Sequence, residues 1–126
     1  MNRYLLKVMP AILLTLLATA CAKSGVPAEA KGLIQAKKYD QGLALLEKAY
    51  ADNPGNQEVK TELIGASVAY GNELTYKSDL PPREKYSKGL KMYKRALELD
   101  PGQKEAMEGK NLIESIYASM GRPVPQ

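Results

Sequence analysis

The sequence predicts an all-α fold of antiparallel helix pairs, about five helices in all, behind a cleaved leader. Three observations predict this. The 17-residue segment Tyr39–Gly55 recurs without a gap as Tyr86–Gly102, at an offset of 47 residues. Apolar side chains return every three to four residues through almost all of the chain after Pro27, the period of an amphipathic helix. No stretch alternates apolar and polar side chains as a half-buried strand does.

The first 20 residues read as a leader rather than as fold. Arg3 and Lys7 supply a charged start, and Val8–Leu17 is an apolar run broken only by Pro10 and Thr15. Ala18, Thr19 and Ala20 are the small residues of a cleavage site. The run is too short to span a bilayer. Cys21 follows directly and is the one cysteine of the chain. Leu17-Ala18-Thr19-Ala20-Cys21 resembles the signal of bacterial lipoproteins, although that family prefers Leu where Ala18 stands. The resemblance implies cleavage before Cys21, acylation of its thiol and amine (palmitate among the chains), and a membrane anchor. Ala22 stands where the family's inner-membrane retention signal has Asp, so the resemblance implies the outer membrane, periplasmic face, in a Gram-negative host. Residues 21–27 would then be a lipidated cysteine and a short tether reaching only ~20 Å.

The helices follow in order. Ala28–Lys38 is the shortest, with Leu33, Ile34 and Ala36 to bury. Next comes the first copy of the repeat, where Leu43, Leu46 and Tyr50 share a stripe. It stops at Asn53-Pro54-Gly55, because the residue before proline is pushed out of the α region. Gln57–Lys77 carries Val59, Leu63, Ala66, Tyr70 and Leu74 on one face, widened by Ile64 and Val68. The second copy steps through Tyr86, Leu90, Tyr93 and Leu97 and stops at Asp100-Pro101-Gly102. Glu105–Met120 closes the domain, with Ala106, Gly109, Ile113, Ile116 and Met120 on one face and Leu112 and Tyr117 beside it. Residues 121–126, with two prolines and no apolar period, read as a flexible tail.

Each copy places a Tyr, a glycine three residues on (Gly42, Gly89), an Ala seven beyond that, and a closing Pro-Gly. This pattern resembles the second helix of a tetratricopeptide repeat. Lys94-Arg95-Ala96-Leu97-Glu98 and Leu99-Asp100-Pro101 are typical of it. The resemblance covers residues 28–120 and implies two repeats and a closing helix. Gly42 and Gly89 would let paired helices approach closely. The offset of 47 departs from the family's usual 34. The 13 extra residues lie near 71–85, read as two lengthened helices and a turn that project as a partner-contact tab.

Composition narrows the chemistry. The chain has no His, which removes the commonest general base and metal ligand. No nucleophile–base pair or phosphate loop is present, so neither an enzyme, a cofactor, a metal site nor a small-molecule substrate is expected. Glu58, Glu62, Glu73, Glu105, Glu108 and Glu114 recur at helical spacing near lysines, as on a solvated face. The formal net charge is +4, with Arg3 and Lys7 in the leader and no basic block elsewhere, which argues against nucleic acid. The remaining class is protein binding. By the resemblance, first helices line a concave groove, which makes Lys31, Gln35, Glu62, Ala66, Tyr70 and Glu73 the partner-binding candidates, with Tyr76 in the inserted segment. The expected role is a lipid-anchored adaptor for an envelope protein or peptide, with a permanently packed structural subunit of a larger envelope or secretion complex as the alternative.

Overall fold

A computed structural model describes residues 25–126; the leader and Cys21 lie outside the described residues. Five α-helices follow one another: α1 (Gly25–Gln35), α2 (Tyr39–Asp52), α3 (Gln57–Asn72), α4 (Pro82–Leu99) and α5 (Lys104–Ser119). Among the described residues there is no strand, and no helix is long and apolar enough to cross a membrane. Each helix packs on its neighbour in sequence, and α3 also touches α1 and α5. The first helices of the pairs, α1, α3 and α5, therefore form one layer, with α2 and α4 behind them.

The repeat is visible atom by atom. Asn53 and Asp100 each turn a side-chain oxygen back onto the N–H of Gly55 and Gly102, at 3.2 and 3.0 Å. Asn56 and Gln103 then cap the next helices, accepting from Val59 N–H at 3.2 Å and Ala106 N–H at 2.7 Å. Gly42 and Gly89 occupy equivalent close contacts. A Cβ at Gly42 would meet Ile34 Cδ1 at 2.7 Å, and one at Gly89 would meet Thr75 Oγ1 at 2.6 Å. The helices approach as the paired-helix resemblance requires.

Two apolar clusters share α3. Ala30, Leu46, Val59, Leu63, Ala66 and Leu99 form one, which joins the middle of α1 and of α2 to α3 and the end of α4. Val68, Leu90, Tyr93, Ala96, Ala106, Ile113 and Tyr117 form the other. Tyr93 is its centre: its ring lies against the backbone of both Gly71 and Gly109, and its hydroxyl donates to Asn72 Oδ1 at 2.8 Å. Asn72 in turn donates to Glu105 Oε1 at 3.2 Å. One hydrogen-bonded chain thus ties α4, α3 and α5. On the back layer, Arg95 holds Glu47 through two bonds of 2.8 Å and Glu98 through one of 2.9 Å, which locks α4 to α2.

Four expectations are corrected. First, α1 begins at Gly25, not Ala28, because Pro27 is tolerated in a first turn. It buries Pro27 and Ala30, ends at Gln35, and leaves Ala36 exposed. The stretch of sequence between Cys21 and the first helix is thus three residues shorter than expected. Second, Tyr117 of α5 points inward, while Leu112 on that helix and Met120 just after it face outward.

Third, the inserted segment is not a free projection. After Asn72 the chain widens into one π-helical turn, Glu73–Lys77, closed by Ser78 N–H on Glu73 O at 2.9 Å. That turn drives Leu74 and Thr75 into the interior against α4. Only Tyr76, Lys77 and the tip beyond them remain outside. Fourth, the tail is seated rather than flexible. Arg122 N–H bonds Tyr117 O at 3.0 Å, and Val124 packs on the second apolar cluster.

Candidate functional site

The sequence-predicted residues divide into two groups. Lys31 and Gln35 are exposed on α1, and Glu62 is half-buried on α3. Ala66 is not a groove residue at all: at 5% exposure it belongs to the core. Tyr70 and Glu73, by contrast, meet at one rim of the stack, where α1 ends, α2 begins and α3 passes into its π turn.

The turn between α1 and α2 brings new residues to that rim. Lys37 adopts a left-handed backbone, φ 61°. Lys38 N–H then reaches Leu33 O at 2.8 Å and Lys37 N–H reaches Ile34 O at 3.0 Å, the paired bonds of a Schellman cap. This cap turns the Lys37 side chain toward α3, where its ammonium sits 2.9 Å from both Glu73 oxygens. Lys77 adds a second cation at 3.6 Å, one turn on. Tyr39, the first residue of α2, lies face to face on Tyr70, with ring centroids 4.8 Å apart and planes 5° from parallel. Its hydroxyl donates to Glu73 Oε2 at 3.5 Å. A shallow recess of about 150 Å³ opens here, between Lys37, Lys38, Asp40, Gln41 and the two stacked rings.

The electrostatics follow from these contacts. The Lys37 hydrogen bond holds the Glu73 carboxyl below its ordinary value, and Glu73 raises Lys37 in return. Burial raises Tyr39 and Tyr70, helped by the carboxylates of Glu73 and Asp40 respectively. The cluster is therefore charged, paired and partly ordered in the free protein. Half-buried stacked rings flanked by an ion pair give a partner a rigid apolar plate with hydrogen-bonding edges. Among the described residues no group of acidic or thiol side chains is arranged to hold a metal.

Tyr76 stands apart from this cluster. It is 59% exposed and borders the Tyr93 hydroxyl rather than the Tyr39–Tyr70 pair. Lys37, Tyr39 and Asp40 were not singled out from the sequence. The available signal was the Tyr that opens each copy of the repeat: Tyr39 stands where Tyr86 stands, and Tyr39 stacks face to face on Tyr70 while Tyr86 meets Tyr117 edge to face.

No curated protein and no solved structure matches the chain at a significant level. Residues 33–73 match the family model of the tetratricopeptide repeat, which spans the end of α1, all of α2 and α3, and the rim cluster itself, so the fold is tetratricopeptide-repeat-like.

Proposed function

We propose that this chain is a protein–protein interaction adaptor of the bacterial cell envelope, held at the membrane by acyl chains on Cys21 and presenting its helical array to an envelope protein or peptide. It works by holding its partner and performs no catalysis. The observation that carries this reading is the rim cluster of Tyr39, Tyr70, Lys37 and Glu73, built within the segment that matches the repeat family. Arrays of this kind serve as binding platforms. The leader pattern supports the anchor, and Ala22 supports the outer membrane.

Two experiments test it. In cells fed labelled palmitate, the wild-type chain should take up label and fractionate with membranes, and Cys21→Ser should do neither; a membrane-bound, unlabelled wild type would refute the anchor. Crosslinked pull-down from membranes should recover a defined partner with the wild type and lose it with Glu73→Lys, whose helical fold is checked by circular dichroism. Retention of that partner would remove the rim from the reading. A permanent structural subunit is the second reading. It draws on Met107, Leu112 and Met120, 43%, 37% and 49% exposed on or just after the last helix. That reading expects the detergent-solubilised chain to self-associate.

A further inference from the structure

The tail lies in a groove that its own chemistry describes. The walls are Pro82, Arg83 and Tyr86 from the start of α4 and Ile116, Tyr117 and Met120 from the end of α5. Together with residues 122–125 they enclose about 690 Å³. Tyr86 and Tyr117 meet edge to face at its floor, centroids 6.4 Å apart, and Lys85 covers the Tyr86 ring at 5.1 Å. Pro123-Val124-Pro125 runs along one side of this space, with Val124 against the apolar cluster, and its prolines fix φ and carry no N–H. Tyrosine-lined grooves suit such preformed extended segments.

This segment is held weakly. Arg122 N–H makes the last backbone hydrogen bond of the tail, and beyond it Val124 alone packs on the core. Arg122 also shares the groove with Arg83. Among the described residues neither arginine has a carboxylate within ion-pair distance, and nearby Glu84 is taken by Lys88 at 2.7 Å. Val124 therefore covers part of the apolar wall, while Arg122 brings like charge to the groove beside Arg83.

We infer that this groove is a second partner site, that it takes an extended Pro-X-Pro segment preceded by an acidic residue, and that the tail is its displaceable internal competitor. The inference rests on the protein-binding reading above. An incoming carboxylate in the place of Arg122 meets Arg83 with attraction instead of repulsion. The tail tunes the apparent affinity, since the groove is open only for the fraction of time the tail is out.

The test uses the full chain in detergent and two labelled peptides, Gly-Arg-Pro-Val-Pro-Gln and Gly-Glu-Pro-Val-Pro-Gln, read by fluorescence anisotropy. Val124→Gly unseats the tail while keeping the Arg122 cap bond. It should bind the acidic peptide about tenfold more tightly than the wild type does. It should also prefer the acidic over the basic peptide about fivefold, with Arg83→Glu reversing the preference. Chain termination after Arg122 is the second tail variant and should behave as Val124→Gly. The idea is overturned by absence of peptide binding in both variants, by equal binding in variant and wild type, by self-association of the variants in place of peptide binding, or by loss of helix in both, which would make the tail a fixed part of the core. Partner capture that survives any of these results but is lost in Glu73→Lys would leave the rim reading standing and remove only this groove.

Discussion

Lys37 occupies a backbone position that ordinarily goes to glycine. The chain supplies its own comparison: Gly121 closes α5 with the same pair of cap bonds at φ 63°. A left-handed conformation crowds the Cβ of any other residue, so Lys37 carries a steric cost that its bond to Glu73 offsets. Lys37→Gly should leave Tm unchanged or raise it by ~2–5 °C, while weakening partner capture in the pull-down. A large fall in Tm on thermal circular dichroism would show that the pair outweighs the strain. The pair also has a pH window. Because Glu73 is held below its ordinary 4.5, its stabilising effect is present above that pH and is lost as pH falls through the lowered value. Tyr93 acts at the other extreme. Burial pushes its phenol from 10.0 up to about 12. A raised phenol stabilises the fold below pH 10 and loses that contribution as pH rises from 10 to 12, a change of about 2–3 kcal/mol. Tyr93→Phe should flatten this alkaline loss in urea titrations at pH 7 and pH 11, at a neutral-pH cost of ~1 kcal/mol for the bond to Asn72. An unchanged alkaline slope would assign the loss to other groups.

At the scale of helices, glycine placement separates tight seams from open faces. Gly71 and Gly109 flank the Tyr93 ring, and a Cβ at Gly71 would come within 2.7 Å of it. Tyr93 is fully buried and cannot retreat. Gly71→Ala and Gly109→Ala should each cost ~2–3 kcal/mol. Gly65 lies on the exposed face of α3, where a Cβ meets nothing within 4 Å, so Gly65→Ala should stabilise by ~0.5–1 kcal/mol. Denaturant unfolding of the three variants tests the contrast; similar values at all three would deny that the seams are tight. The Gly42 and Gly89 contacts were legible because the two glycines recur 47 residues apart, each three residues after the Tyr that opens its copy. The stripe on α3 was legible because one helix face sets it. The Tyr39–Tyr70 stack was not, because it depends on the angle between neighbouring pairs, which no local period encodes. The burial of Leu74 and Thr75 depends on a π turn, which shifts the register that a 3.6-residue period extrapolates. The tail escaped notice because two prolines and a single Val124 carry no periodic signal; only the groove makes them a contact.

For the molecule as a whole, the position of α1 fixes which way the array faces once Cys21 is anchored. Only three residues separate Cys21 from Gly25, a reach of ~14 Å to the helix start. Ala30, midway along α1, packs with Val59 at the start of α3 and Leu99 at the end of α4. Lys37 lies beyond the other end of an 11-residue helix, a further ~16 Å away. A chain anchored through Cys21 would therefore hold the Asp52–Gly55 turn toward the lipid and the rim cluster away from it, and the two proposed partner surfaces, the rim and the tail groove at the start of α4, would stand on the distal side. In liposomes, a probe attached through Asp52→Cys in the acylated protein should be quenched by lipid-borne spin labels, and one attached through Lys38→Cys should not. Equal quenching at the two positions would mean that the domain lies on its side, and the rim would then face lipid as much as any partner.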